Sequence, residues 1–408
     1  MAPGIELFGS TEELISFAKI FLGSLVVSLL YFLIKKKMSS IPLPGEKQFD
    51  WTVLVLGMWC FTGMSIDAWG HKHGEVNDSF FTPWHAVWYS GFTAFAGFIT
   101  YSLLRLHDGP LPRSPASVKR FLASMPAGYG VGVAGMVVFS LAGFGDMLWH
   151  TFLGIEGGTD ILLSTTHLGL AAGLALSLMT PFWAAWHVEG SGEEGLSSQL
   201  PMIFGLAGAW SVLTLFTSYI HPQTISFYDI CSSLPQCPEN GAGLEKGVSA
   251  ILLQSAILSG VVMLYLRRWK PDFGAFTILL GFNGIAIAAF APGDLGVAWK
   301  HIVAPLLAGL VIDLAYWKLQ PDSSRKMKIF AFIVPALQTI IWMLTLLYQT
   351  GWQYDVVGGY PVMSPLGWTV HATFGAIFLA GSVGVLMSIV TDPPNTPKAK
   401  DSDYQTSS

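Results

Sequence analysis

Apolar residues along the chain gather into eleven blocks, at about 14–34, 51–68, 83–104, 125–146, 164–186, 200–219, 246–266, 274–291, 301–318, 329–348 and 367–390. Each is close to the roughly 20 residues that cross a hydrocarbon core. Backbone inside a bilayer must satisfy its own hydrogen bonds, so every block is predicted to be a helix. The pattern gives an all-α, polytopic transmembrane helix bundle. The segments between blocks are polar linkers, so 1–390 reads as a single transmembrane domain. The remainder, 391–408, is rich in Pro, Lys, Asp and Ser and reads as a disordered tail.

Charge gives the register of this bundle. One set of connections carries Lys35–Lys37 with Lys47, then Arg105, Arg113, Lys119 and Arg120, then Arg267, Arg268 and Lys270, then Lys318, Arg325, Lys326 and Lys328, and finally Lys398 and Lys400. The alternate set holds little beyond Lys72, Lys246 and Lys300. Cytoplasmic loops are enriched in Lys and Arg, so the N-terminus is predicted outside and the C-terminus in the cytoplasm, in a plasma (inner) membrane. The first segment, MAPGIELFGSTEELISF, has no positive n-region, and the block after it reads as an uncleaved span. One lone span is then followed by five hairpins that turn on the outer side. Trp69, Trp84, Trp149, Trp299, Trp352 and Trp368 fall near the predicted outer ends. Trp51, Trp183, Trp186, Trp269 and Trp317 fall near the inner ends, which makes two interfacial belts.

Composition agrees. Only 12% of residues are charged, against about 25% in a soluble domain. A net charge of −5, with no basic patch interleaved with aromatics, sets nucleic acid aside as a partner. The lipid bilayer is the partner this composition demands. Cys231 and Cys237 share one outer connection, where a disulfide is expected on compartment grounds, whereas Cys60 lies alone inside a span.

The chemistry lies in the histidines. Of ten, eight are predicted on the outer side: His71, His73, His85, His150, His167, His221, His301 and His371. Two hairpins share a layout. One runs Asp67-Ala-Trp-Gly-His71, a loop, then Thr82-Pro-Trp-His85; the other runs Asp146-Met-Leu-Trp-His150, a loop, then Ser164-Thr-Thr-His167. Both read D-x-x-x-H, loop, [ST]-x-x-H, an internal repeat whose loops differ by three residues. Asp and His four apart share one face of a helix end. Thr82 and Ser164 stand where an N-cap would, with Pro83 at the favoured first helical position. Each hairpin thus offers two imidazoles and one carboxylate, a set suited to copper, zinc or non-haem iron, and the two sets make either one dinuclear site or two mononuclear ones. The plain alternative is an Asp–His hydrogen bond that locks each hairpin.

His73, His301 and His371 are weaker ligand candidates, and Asp294, Asp355, His221 and Glu245 echo the layout. For His73, His221 and His301 the plain alternative is an amphipathic side chain at an interface. Glu156 is a weak candidate for a general base or further ligand, set against a solvated loop carboxylate. Asp313, Asn283 and Gln338 lie within spans, where they either line a pathway or bond neighbouring helices.

The D-x-x-x-H motif with a later His resembles the metal-binding motif in the C subunit of copper membrane monooxygenases, the particulate methane and ammonia enzymes. The matching residues are Asp67, His71 and His85, or Asp146, His150 and His167, although the family's second spacing is shorter. The resemblance covers a few dozen residues and implies copper and oxidative chemistry on a small or apolar substrate, with partner subunits. WHTFLGIE with LLSTTHLGL, and FFTPWHAVWYSGF, resemble segments of bacterial multi-pass membrane proteins, which implies no activity. The ligand types are also similar to those of intramembrane zinc hydrolases of the ceramidase and adiponectin-receptor type, but the S-x-x-x-H and H-x-x-x-H spacings are absent. Haem b held by two histidines needs no motif and stays open as a cofactor. The leading expectation is a metal-dependent oxidoreductase, copper favoured over zinc or iron. The alternatives are a metal-ion transporter or metal-handling protein, a zinc-dependent membrane hydrolase, and a metal-stapled structural subunit.

Overall fold

A computed structural model describes residues 10–38, 41–74, 80–154, 158–232, 234, 237, 242–290, 295–350, 354–357, 360–363 and 366–391. Each of the eleven apolar blocks is helical. The helices are α1 (Thr11–Lys37), α2 (Lys47–His73), α3 (Pro83–Leu106), α4 (Pro115–Leu122), α5 (Gly130–Leu153), α6 (Asp160–Leu163), α7 (Thr165–Leu178), α8 (Thr180–Trp186), α9 (Leu196–Phe216), α10 (Phe227–Ile230), α11 (Ala242–Leu266), α12 (Ala275–Phe290), α13 (Leu295–Leu319), α14 (Ser324–Thr350) and α15 (Val370–Thr391). Two short strands, β1 (Tyr354–Val357) and β2 (Tyr360–Met363), pair antiparallel between α14 and α15. They are the one departure from an all-helical chain among the described residues.

Eight of these helices are long and apolar enough to cross a membrane. The block at 164–186 is broken into α7 and α8, which meet at 46°, and the pair makes a ninth span when the two are taken as one. Pro181, in the first turn of α8, has no N–H to continue the ladder of α7. The other two blocks are α3, with 24 residues, and α12, with 16. The tail at 392–408, expected to be disordered, lies outside the described residues.

The lone first span is lone in fact. Helix α1 buries no residue, and its contacts run along α3, where Phe32 meets Tyr101 edge to face at 4.8 Å. Four of the five hairpins pair as expected: α2 with α3, α5 with α7, α12 with α13 and α14 with α15. In the first two, glycines let the backbones touch. A Cβ on Gly63 would sit 2.4 Å from Trp88 Cα, and one on Gly173 would sit 2.6 Å from the Phe139 amide nitrogen. Small residues at such crossings replace the hydrophobic drive that lipid removes.

The third hairpin departs from expectation. Helices α9 and α11 scarcely touch; α9 packs on α12 and α7, and α11 on α15. Their connection is long, carries the Cys231–Cys237 disulfide, and is pinned by a hydrogen bond from Trp368 Nε1 to the Ile230 carbonyl. The splayed pair leaves a gap beside α9, α11, α12, α13 and α14.

Candidate metal centre

The two repeated hairpins stand next to one another and bring their Asp-His-His sets into one cluster. Asp67 and His71 lie a turn apart at the end of α2, and His85 lies in the first turn of α3. Asp146 and His150 repeat this on α5, and His167 on α7. Thr82 caps α3 as expected, accepting a hydrogen bond from the His85 amide at 3.1 Å. Ser164 does not cap α7, because its hydroxyl bonds instead to the Thr166 hydroxyl at 2.9 Å.

In each set both imidazole Nε2 atoms face the carboxylate. His71 Nε2 is 3.7 Å and His85 Nε2 3.5 Å from Asp67; His150 Nε2 is 3.4 Å and His167 Nε2 3.2 Å from Asp146. A charge-assisted N–H···O hydrogen bond would close to about 2.7–2.9 Å. Two donor atoms held about 2.1 Å from one tetrahedral ion stand about 3.4 Å apart. The observed separations straddle the second figure and miss the first. Among the described residues Asp67 Oδ1 is buried with no hydrogen bond at all.

The tautomers point the same way. A backbone carbonyl can only accept, so His85 Nδ1–H donates to Phe80 O at 2.6 Å and His167 Nδ1–H donates to Ile161 O at 2.8 Å. In the neutral ring this leaves Nε2 with its lone pair turned toward a carboxylate. Two acceptors facing each other repel; a cation between them reverses the sign. A ligating His is commonly oriented by such a bond from its other nitrogen.

Asp146 is further held by Tyr89 Oη–H and Thr166 Oγ1–H, each donating at 3.0 Å. It is 0% exposed, and an isolated carboxylate at that depth is expensive. Asp146, His150 and His167 form a group whose ligand atoms all lie within 4.8 Å of one another, so it can hold a metal ion. The His85 and His150 rings are 6.2 Å apart and His150 and His167 5.4 Å, with Phe80 packed on both His85 and His150. The His71 side chain, 21% exposed, marks the open edge.

The weaker candidates stand elsewhere. His73 is exposed and stacks on Trp69 at 4.4 Å, the interfacial role weighed for it. His301 is buried beside His221 at the far side of α12, and His371 is exposed on α15. Glu156 and Asp294 lie outside the described residues, as does the Asp355 side chain. Two of the three polar span residues, Asp313 and Asn283, tie helices together. Asp313 accepts from the amides of Phe276 and Thr277 and from the Thr277 hydroxyl at 3.1, 2.9 and 2.6 Å, so it caps α12. Asn283 donates to Ser211 and Thr214 on α9. The carbonyls of Phe80 and Ile161 and the hydroxyls of Tyr89 and Thr166 were not foreseen; backbone carbonyls carry no sequence signal. No protein-family profile, curated protein or solved structure matches the chain.

Proposed function

We propose that this integral membrane protein is a metal-dependent oxidoreductase whose centre is the Asp67/His71/His85 and Asp146/His150/His167 cluster, loaded with a pair of copper ions and acting on a small or apolar substrate. The observation that carries the reading is the convergence of four imidazole Nε2 atoms on two buried carboxylates at 3.2–3.7 Å.

Imidazole-rich sets favour copper, zinc and iron over calcium and magnesium, and copper(II) stands highest in the divalent affinity order. Three protein ligands per ion leave a coordination position open, as catalytic sites do and closed structural sites do not. Copper, when bound, supplies one-electron redox chemistry. The protein's part is to hold the imidazoles in one tautomer and to line the site with Phe80, Trp88 and Tyr89, which suit an apolar substrate. Transport is the less favoured reading, because Asp313 and Asn283 are engaged in ties between helices. The charge of the connections supports a site at the outer face of the plasma membrane, with the N-terminus outside.

The test is metal analysis of purified protein, wild type against His85→Ala and His150→Ala, with the copper(II) spin signal followed on adding ascorbate. Wild type should hold copper whose signal reduction abolishes, and each variant should hold less. Absence of metal in all three after copper loading overturns the centre. Copper that resists reduction, or exclusive retention of zinc, overturns the redox assignment alone.

A further inference from the structure

Helix α4 follows α3 and precedes α5 at the end of the bundle whose connections are rich in Lys and Arg. Its apolar side is tied down. Phe121 meets the His107 ring edge to face at 5.2 Å, and Phe121 and Leu122 pack on the core that includes Met125 and Tyr129. His107 Nδ1 pairs with the Ser124 hydroxyl at 3.1 Å, which fastens the end of α3 to the turn after α4. Lys119 and Arg120 are exposed. A short helix apolar on one side and basic on the other lies along a bilayer interface.

Beside it runs an open apolar groove of about 360 Å³, lined by Leu122 of α4 and by Gly130, Val133, Ala134, Val137 and Val138 of α5. No polar side chain lines it, and Ala134 and Val137 are exposed along it. From Gly130 to Val138 a helix rises about 12 Å. That is most of one leaflet of a hydrocarbon core about 30 Å thick. Lys119 and Leu122 stand three apart and share a face of α4, so Lys119 is on the groove side of that helix.

Charge selects the occupant. From Gly109 to Gly145 the chain holds Arg113, Lys119 and Arg120 and not one Asp or Glu. A groove of leaflet depth that ends at cations matches an alkyl chain with an anionic head. A zwitterionic lipid brings its own cation to that end, and a second copy of this face would bring the same positive charge. We propose that the α4–α5 groove binds an anionic phospholipid, with one acyl chain along Gly130–Val138 and the phosphate at Lys119 and Arg120. Basic pockets of this kind on membrane helices hold anionic headgroups. The site lies at the opposite end of α5 from Asp146 and His150 and stands whether or not metal binds there.

Full-length protein, delipidated in detergent, is titrated with phosphatidylglycerol, with phosphatidylcholine of the same acyl chains, and with inorganic phosphate. Native mass spectrometry gives the Kd of the first bound lipid. Phosphatidylglycerol should bind about tenfold more tightly than phosphatidylcholine, and millimolar phosphate should not displace it. The Lys119→Gln/Arg120→Gln double variant should raise the phosphatidylglycerol Kd about tenfold and leave that of phosphatidylcholine alone. Ala134→Phe, which fills the groove from its exposed side, should weaken phosphatidylglycerol binding. Lys328→Gln removes an exposed cation from α14, which packs on α13, α15 and α11, and should change nothing. The proposal fails if the two lipids bind alike, if phosphate displaces phosphatidylglycerol, if the double variant or Ala134→Phe keeps the wild-type Kd, or if Lys328→Gln weakens binding as much as the double variant.

Discussion

The rings of His85 and His150 lie 6.2 Å apart although they belong to different hairpins. That proximity joins two repeated sequence motifs into one six-residue cluster. It also makes the sets separable by experiment, since each carboxylate serves its own pair of imidazoles.

Asp67→Asn should therefore lower copper from two ions per chain to about one. The Asp146 set keeps its full ligand complement in that variant. Copper counted by plasma mass spectrometry is the measurement. Two ions retained, or none, would contradict a centre built of two sets.

Stripping metal should lower the unfolding midpoint of the detergent-solubilised protein. An ion held at a hundredfold excess over its Kd stabilises the native state by about 2.7 kcal/mol. Without it, Asp67 and Asp146 are left as buried carboxylates with no metal ion between them and the imidazoles. Chelator should shift the wild-type melt downward and barely move that of the Asp67→Asn/Asp146→Asn double variant. Identical shifts in both would mean that the carboxylates hold no ion.

Gly63→Ala and Gly173→Ala should each destabilise by about 1–3 kcal/mol, because the added methyl overlaps backbone of the facing helix. Gly97, on α3, has nothing within 4 Å of its would-be Cβ. Gly97→Ala should stabilise, by up to about 1 kcal/mol, through helix propensity. Thermal melts of the three variants decide this; a common sign for all three would refute the close-crossing argument.

His221 lies past the end of α9, where burial, with a lesser push from neighbouring His301, drives its pKa down to about 3. In the unfolded chain a histidine titrates near 6.5. Between these values the unfolded state takes up a proton that the folded state refuses, so stability is full above about pH 6.5 and is lost as pH falls toward 3, at up to about 1.4 kcal/mol per pH unit. His221→Gln should flatten the fall in melting temperature between pH 6.5 and 5. A variant with the wild-type slope would show that His221 contributes none of it.

The lengths of the apolar blocks were enough to read the helices, because a bilayer leaves helices as the only spanning option. The Asp-His-His sets were legible for a local reason: four-residue spacing at a helix end fixes a shared face. Their meeting was not, since it depends on how one hairpin leans on another. The gap beside α9 and α11 was illegible for a stronger reason. Trp210, His221 and Gln338 come from separate segments, and they are adjacent only because α9 and α11 part company. Gln338 and Asn283 looked alike as polar residues in spans, yet Asn283 is bonded on α9 while Gln338 Oε1 is left open.

The charge balance of the cluster follows from its two tautomer-fixing carbonyls. His85 and His167 each give their Nδ1 proton to a peptide oxygen, and with all four Nε2 lone pairs on metal the only formal charges among the six side chains would be those of Asp67 and Asp146. A pair of monovalent ions cancels them and suits a site of low polarity. A pair of divalent ions leaves an excess of two positive charges, which only an anion from outside the protein can offset. The oxidation state of the metal pair would therefore set whether the centre draws in a negatively charged ligand.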